Sequence, residues 1–136
     1  MPNQRAEQNE QQIFSAFLTW LRERHATVMA AEAEALRLLE SGDTAAHRSH
    51  MQRKAELVAS MCEDARPHLE GLPGPWRFAL TAALEKFSRS ASMGLRLGSI
   101  FYMSALLYPD DHQPGQPDNL QLCIERMAEQ GQDFSG

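Results

Sequence analysis

Apolar positions along this chain fall into four stretches separated by three polar or Pro/Gly-rich breaks. Between Asn9 and Glu40, Phe14, Phe17, Leu21, Val28, Ala31, Ala35 and Leu38 recur at steps of three and four. That period puts them on one face of a helix. No Gly or Pro interrupts the stretch, and "AAEAEALRLLE" is built from strong helix formers. A first long helix is predicted, with residues 1–8 frayed. "SGDT" ends it: Gly42 suits the left-handed position after a helix end, and Asp43 suits the cap of the next helix. A second helix is expected over Thr44–Arg66 with the stripe Met51, Val58, Met61 and Ala65, and with Leu69 beyond it; Pro67 marks its end or a kink. Its first turns are polar and are expected to pack loosely.

After "EGLPGP", Pro75 fits the first position of a third helix, predicted to run unbroken to about Leu107. Leu80, Phe87, Gly94 and Phe101 share one heptad position and Leu84, Ala91, Gly98 and Ala105 another, as in a coiled coil. Ser90, Gly94 and Gly98 lie four apart and predict a smooth ridge for close helix packing. Past Met93 this helix is apolar on nearly every side, so something must cover it. Pro109, Pro114, Gly115 and Pro117 make a linker over 109–117. Asp118 can cap a tethered helix over 118–130, with Leu120, Cys123 or Ile124, and Met127 as its stripe; 131–136 reads as a loose tail. At about three turns this helix is too short to stand alone in water. The fold expected is all-α: a single-domain antiparallel three-helix bundle with long helices plus a short C-terminal amphipathic helix.

Composition narrows the function. The 136 residues carry a net charge of −5, which disfavours nucleic acid as a partner. Arg48, Arg53 and Lys54 form the one basic knot and read as a solvated helix face. Residues 1–12 lack the apolar core of a signal peptide, and no apolar run reaches the ~20 residues of a membrane span. A cytoplasmic protein is therefore expected, with Cys62 and Cys123 as free thiols.

Signature motifs of catalysis and cofactor binding are missing. No acidic residue stands three before a His, as the carboxylate-bridged di-iron bundles require. There is no HExxH, CxxC, Walker A loop or GxSxG. Asp43, His47 and His50 lie a turn apart and could in principle face a metal, but they read better as exposed polar residues. His25 sits at the edge of the first apolar stripe and reads as a half-buried, hydrogen-bonded side chain. Glu32 and Glu34 point to different sides of their helix, and Ser99 has no His within helical reach. No catalytic, cofactor or metal residue is assigned, and no enzyme is expected.

The stretch "AAEAEALRLLESGDTAAHRSHMQRKAELVASM" resembles the front half of flagellar type III export chaperones of the FlgN type. It shares a Glu/Ala/Leu-rich helix (Glu34, Ala35, Leu36), a break carrying Asp43, and a helix with Lys54 and Leu57. The third helix ending at Tyr108, with Gly115 downstream, echoes the family's end. Ser88, Ser90 and Ser92 stand where that family carries Asn, and the 109–117 linker is longer. The resemblance implies a cytoplasmic, non-enzymatic helper that keeps a secretion cargo monomeric and binds it through Leu120, Ile124 and Met127.

Physical reasoning reaches a related expectation. A protein partner would dock on Leu95, Phe101, Tyr102 and Leu106, or on Leu120, Ile124 and Met127, with the last helix or a dimer partner exchanging for it. Two other readings are a structural homodimer whose apolar surface is permanently covered, and a small-molecule or metal-binding bundle. In the latter, Phe101, Tyr102 and Leu106 would line a pocket with His25 or His47. A peripheral membrane role for 93–108 lacks the basic face it needs.

Overall fold

A computed structural model describes residues 4–134, and side chains from Arg5 to Gly131. The described residues are helical or in turns, with no strand. Six helices follow in order: α1 Gln4–Glu40, α2 Thr44–Ala59, α3 Met61–Leu69, α4 Gly74–Leu97, α5 Ile100–Ala105 and α6 Asn119–Phe134.

The helices pair along their lengths. Arg24 of α1 reaches the Leu57 carbonyl, Glu32 reaches Lys54, and Ala35 reaches His47, so α2 returns antiparallel to α1. Cys62 lies against Thr81, and Val58 against Ser88, so α4 turns back again. His25 meets Asp118 and Phe14 meets Gly131, so α6 descends along α1. It packs on α1 and touches α4 only lightly. The core these contacts enclose includes Phe14, Phe17, Leu21 and Val28 of α1, Met51, Val58 and Met61, Leu84 and Ala91 of α4, and Leu120 and Ile124 of α6.

Two features of the second and third stretches differ from expectation. The second is broken at Ser60 rather than at Pro67, which lies inside α3. The cause lies on α4. In an unbroken helix the Cys62 amide would donate to the Val58 carbonyl. Here the Ser88 hydroxyl stands between them, accepting from Cys62 N at 3.1 Å and donating to Val58 O at 2.9 Å. A side chain inserted into the helical ladder is a recognised cause of kinks. Arg24 clasps the outside of the same break, bonding Leu57 O, Ser60 Oγ and Asp64.

The third stretch ends at Leu97, not at Leu107. Gly98 takes the left-handed conformation, φ 63°, and its amide caps Gly94 and Leu95. Ser99 then caps α5 by accepting from the Tyr102 amide. The heptads cannot run through this elbow. Phe101 and Ala105, in phase with the core of an unbroken helix, are exposed, while Met103, Leu106 and Leu107 are buried instead. The expected small-residue ridge is corrected with it. Gly98 closes a helix, and a Cβ there would meet nothing within 4 Å; Ser90 is exposed. Gly94 alone lies at a close approach: a Cβ there would sit 2.8 Å from the Tyr102 ring.

Helix also extends further at both ends than the sequence suggests. Gln4–Gln8 belong to α1, where Arg, Ala, Glu and Gln are good helix formers that prolong an existing helix at little cost. Residues 131–134 belong to α6 rather than to a loose tail. Gly131 lies so close to the buried Phe14 ring that a Cβ would collide with it. Residues 1–3 and 135–136, parts of the predicted frayed start and loose tail, lie outside the described residues.

Candidate functional site

The side chain that departs furthest from its expected place is Lys54. Instead of joining Arg48 and Arg53 on a solvated face, it is fully buried. Its Nζ donates to Glu32 Oε1 at 2.8 Å and to the carbonyls of Ser104 at 3.2 Å and Leu106 at 3.1 Å. The ammonium also lies 5.1 Å from the centre of the Tyr108 ring. It thereby satisfies carbonyls left open where α5 ends, a favourable place for a cation. The second oxygen of Glu32 accepts from the Tyr108 hydroxyl. Burial pushes the lysine's pKa down, against the opposing pull of Glu32 and Asp118. Burial pushes the Tyr108 phenol up, and the neighbouring Glu32 and Asp118 charges add to this.

A second polar pair ties down the start of α6. Asp118 Oδ1 accepts from the amides of Leu120 and Gln121, which is the predicted cap. Its Oδ2 lies 2.7 Å from His25 Nε2. An ionised carboxylate can only accept, so Nε2 carries the hydrogen of this bond. Burial works to raise the Asp118 pKa, but the His25 bond and charge and the two amides outweigh it and hold it below the usual carboxylate range. A depressed folded-state pKa gives stability above the unfolded value, about 4, that is lost as pH falls through the folded one. The α6 amides should therefore lose protection below about pH 4, measured against the intrinsic exchange rate at the same pH, and Asp118→Ala should cost about 1–2 kcal/mol at neutral pH through the lost cap alone. An α6 equally protected at pH 3 and pH 7 would contradict this.

Glu32, Tyr108, His25 and Asp118 line one open cleft of about 650 Å³ under the 109–117 linker, with His112 and Gln116 opposite. Each of the first four is committed to a partner within the fold. Together they fasten α5, the linker and α6 to α1 and α2. The linker is therefore anchored at both ends, and the Asn119 amide donates to the Leu107 carbonyl across its base at 2.8 Å.

The predicted binding residues separate into two groups. Leu120, Ile124 and Met127 are buried within the chain's own core, and Leu106 is buried beside Lys54. Leu95 is half-buried against the core. Phe101 is 83% exposed and Tyr102 37%; Leu97 at 63% and Met93 at 47% join them around the Gly98 elbow. The pocket imagined for a small ligand does not assemble. Tyr102 and Leu106 line one hollow, His25 lines another, and Phe101 projects outward. His47 is buried, not exposed, with Nδ1 on the Ala35 carbonyl at 2.9 Å. His50 bonds the Ala46 carbonyl and Asp43 caps Ala46, so these three face separate partners. Among the described residues, no three His, Cys, Asp or Glu side chains are grouped to hold a metal ion. Cys62 and Cys123 are free and half-buried.

Lys54 gave no sign in the sequence beyond a single charge out of phase with its polar neighbours. It follows Met51 by three and precedes Val58 by four, on the buried stripe. No helix among the described residues is long and apolar enough to cross a membrane. No family model matches the chain, and neither a curated protein nor a solved structure matches it.

Proposed function

We propose that this chain is a non-enzymatic protein-binding module, a small export chaperone or adaptor that shields an apolar helical segment of its partner. One observation carries the reading: of the large apolar side chains exposed among the described residues, Met93, Leu97, Phe101 and Tyr102 all fall within five residues of the Gly98 elbow, whereas Leu36, Leu39 and Phe78 lie elsewhere along the chain. Large apolar side chains grouped on a surface mark interaction sites, whereas scattered ones do not. Aromatic and Met side chains are also the ones that anchor interfaces. The likeness of the first two helices to FlgN-type flagellar export chaperones agrees with this role and with a cytoplasmic setting. The antiparallel three-helix scaffold belongs to the same reading, with α6 as its cover rather than as a free arm. Cargo binding through Leu120, Ile124 and Met127, as the resemblance implies, would require α6 to leave its seat. The elbow is available without that cost.

The test is capture of partners by the full chain from its native host, read by mass spectrometry, beside the double variant Leu97→Ser, Phe101→Ser. Both positions are solvent-facing, so melting should change little, within about 0.5 kcal/mol. A defined partner that is captured by wild type and lost by the variant supports the proposal. Capture that survives the variant, or a wild-type mass that stays dimeric at every concentration in sedimentation, would replace it with another surface or with a structural homodimer.

A further inference from the structure

We infer that the trough between α4 and α6 is a second docking surface, built for an acidic amphipathic helix of another protein; this deepens the protein-binding reading and rests on it. Because α6 leans on α1 and touches α4 only lightly, the two helices leave a gap. A hollow of about 410 Å³ lies in that gap, and a second of about 310 Å³, between α4 and α5 with the residues that follow it, adjoins the first through Lys86, Phe87 and Asn119. Ala83, Phe87 and Leu122 supply apolar floor, and Tyr102, seated against Gly94, stands at one end. The α6 side runs from Asn119 to Gln130, about 16 Å at 1.5 Å per residue, or three turns of a helix. That is the footprint of an amphipathic helix laid in a groove.

Charge identifies the occupant. The chain carries −5 overall, yet no Asp or Glu lines either hollow. The charged residues that do are Lys86 from α4 and Arg126 from α6, both exposed. Neither makes an ion pair with a described residue, whereas the nearby Arg89 is held by Glu85. Burial pushes the half-buried Cys123 thiol up, with the Arg126 and Lys86 charges pulling the other way. A helix with carboxylates flanking its apolar stripe would meet a cation on each bank. A second copy bound symmetrically would instead set Lys86 and Arg126 against their own duplicates, and like charges placed together are costly.

The test uses the full chain and a fluorescent peptide of about 18 residues, with a leucine stripe at helical spacing flanked by glutamates. The control peptide carries lysines in their place, and anionic phospholipid vesicles serve as a third probe. Expected is saturable binding of the acidic peptide at least tenfold tighter than of the control, weakened by salt. The charge reversal Lys86→Glu with Arg126→Glu should weaken it about tenfold. Bound peptide should slow alkylation of Cys123 more than that of Cys62. The pair Lys86→Gln with Arg126→Gln gives the same readout, about threefold weaker or more, should the reversal disturb folding. Equal affinity for both peptides, indifference to either variant pair, no saturable binding, or binding of vesicles alone would overturn the inference. If the trough fails but Leu97→Ser, Phe101→Ser still abolishes partner capture, the inference falls and the protein-binding reading stands.

Discussion

Glu32→Ala should cost about 3–5 kcal/mol of stability, the expected penalty for leaving a buried charge without its partner. Lys54 is fully enclosed, and Glu32 is the one carboxylate bonded to it. Without Glu32, its ammonium keeps two carbonyls but no carboxylate bonded to it, and the Tyr108 hydroxyl loses its acceptor. The lysine's pKa, already lowered by burial, should fall further. A folded-state pKa below the unfolded one means stability is lost as pH falls through it and regained towards the unfolded value of about 10.4. The variant should therefore be less destabilised at pH 9.5 than at pH 6. Removing both charges should be milder: Glu32→Ala combined with Lys54→Met should recover more than half of the loss, because no ion is then buried. Urea unfolding of the three chains measures this directly. A loss under about 1 kcal/mol for Glu32→Ala would mean that Lys54 reaches water.

Ile124→Asp should release α6. The side chain is buried beside Leu120 and Met127 on the face that meets α1. A carboxylate there has no partner, and the cost of burying it, about 3 kcal/mol or more, is avoided only if the helix leaves. Released, a 16-residue helix is marginal in water. The α6 amides should lose protection from exchange and Cys123 should alkylate faster, while the amides at the α1–α2 interface stay slow. An α6 that remains protected would show that the helix is held by its capped end, through Asp118 and His25, rather than by its apolar face.

Local patterns were legible wherever one helix face meets one core. Phe14, Phe17, Leu21 and Val28, and likewise Met51, Val58 and Met61, occupy the interior that their spacing predicts. The Asp43 and Asp118 caps and the left-handed Gly42 follow from chemistry within a few residues of each. What escaped the sequence depends on distant partners. The kink at Ser60 is made by Ser88, and the burial of Lys54 by Glu32 and the end of α5. The elbow at Gly98 was hidden because the heptads of α4 carry on numerically through it. A glycine at a core heptad position can be a packing contact or a helix end, and spacing alone does not distinguish them. The candidate surface moved for the same reason. Once Gly98 resets the phase, Phe101 turns to solvent and Met103 takes its place inside.

Partner binding is expected on the surface left outside while α6 stays seated. Amide hydrogen exchange of the full chain decides this, measured free and with the partner that Leu97→Ser, Phe101→Ser fails to capture. On binding, exchange should slow in the last turns of α4 and in α5, with α6 at least as protected as before. Faster exchange across α6 in the complex would contradict this, and would mean that the partner takes the place of that helix on the core.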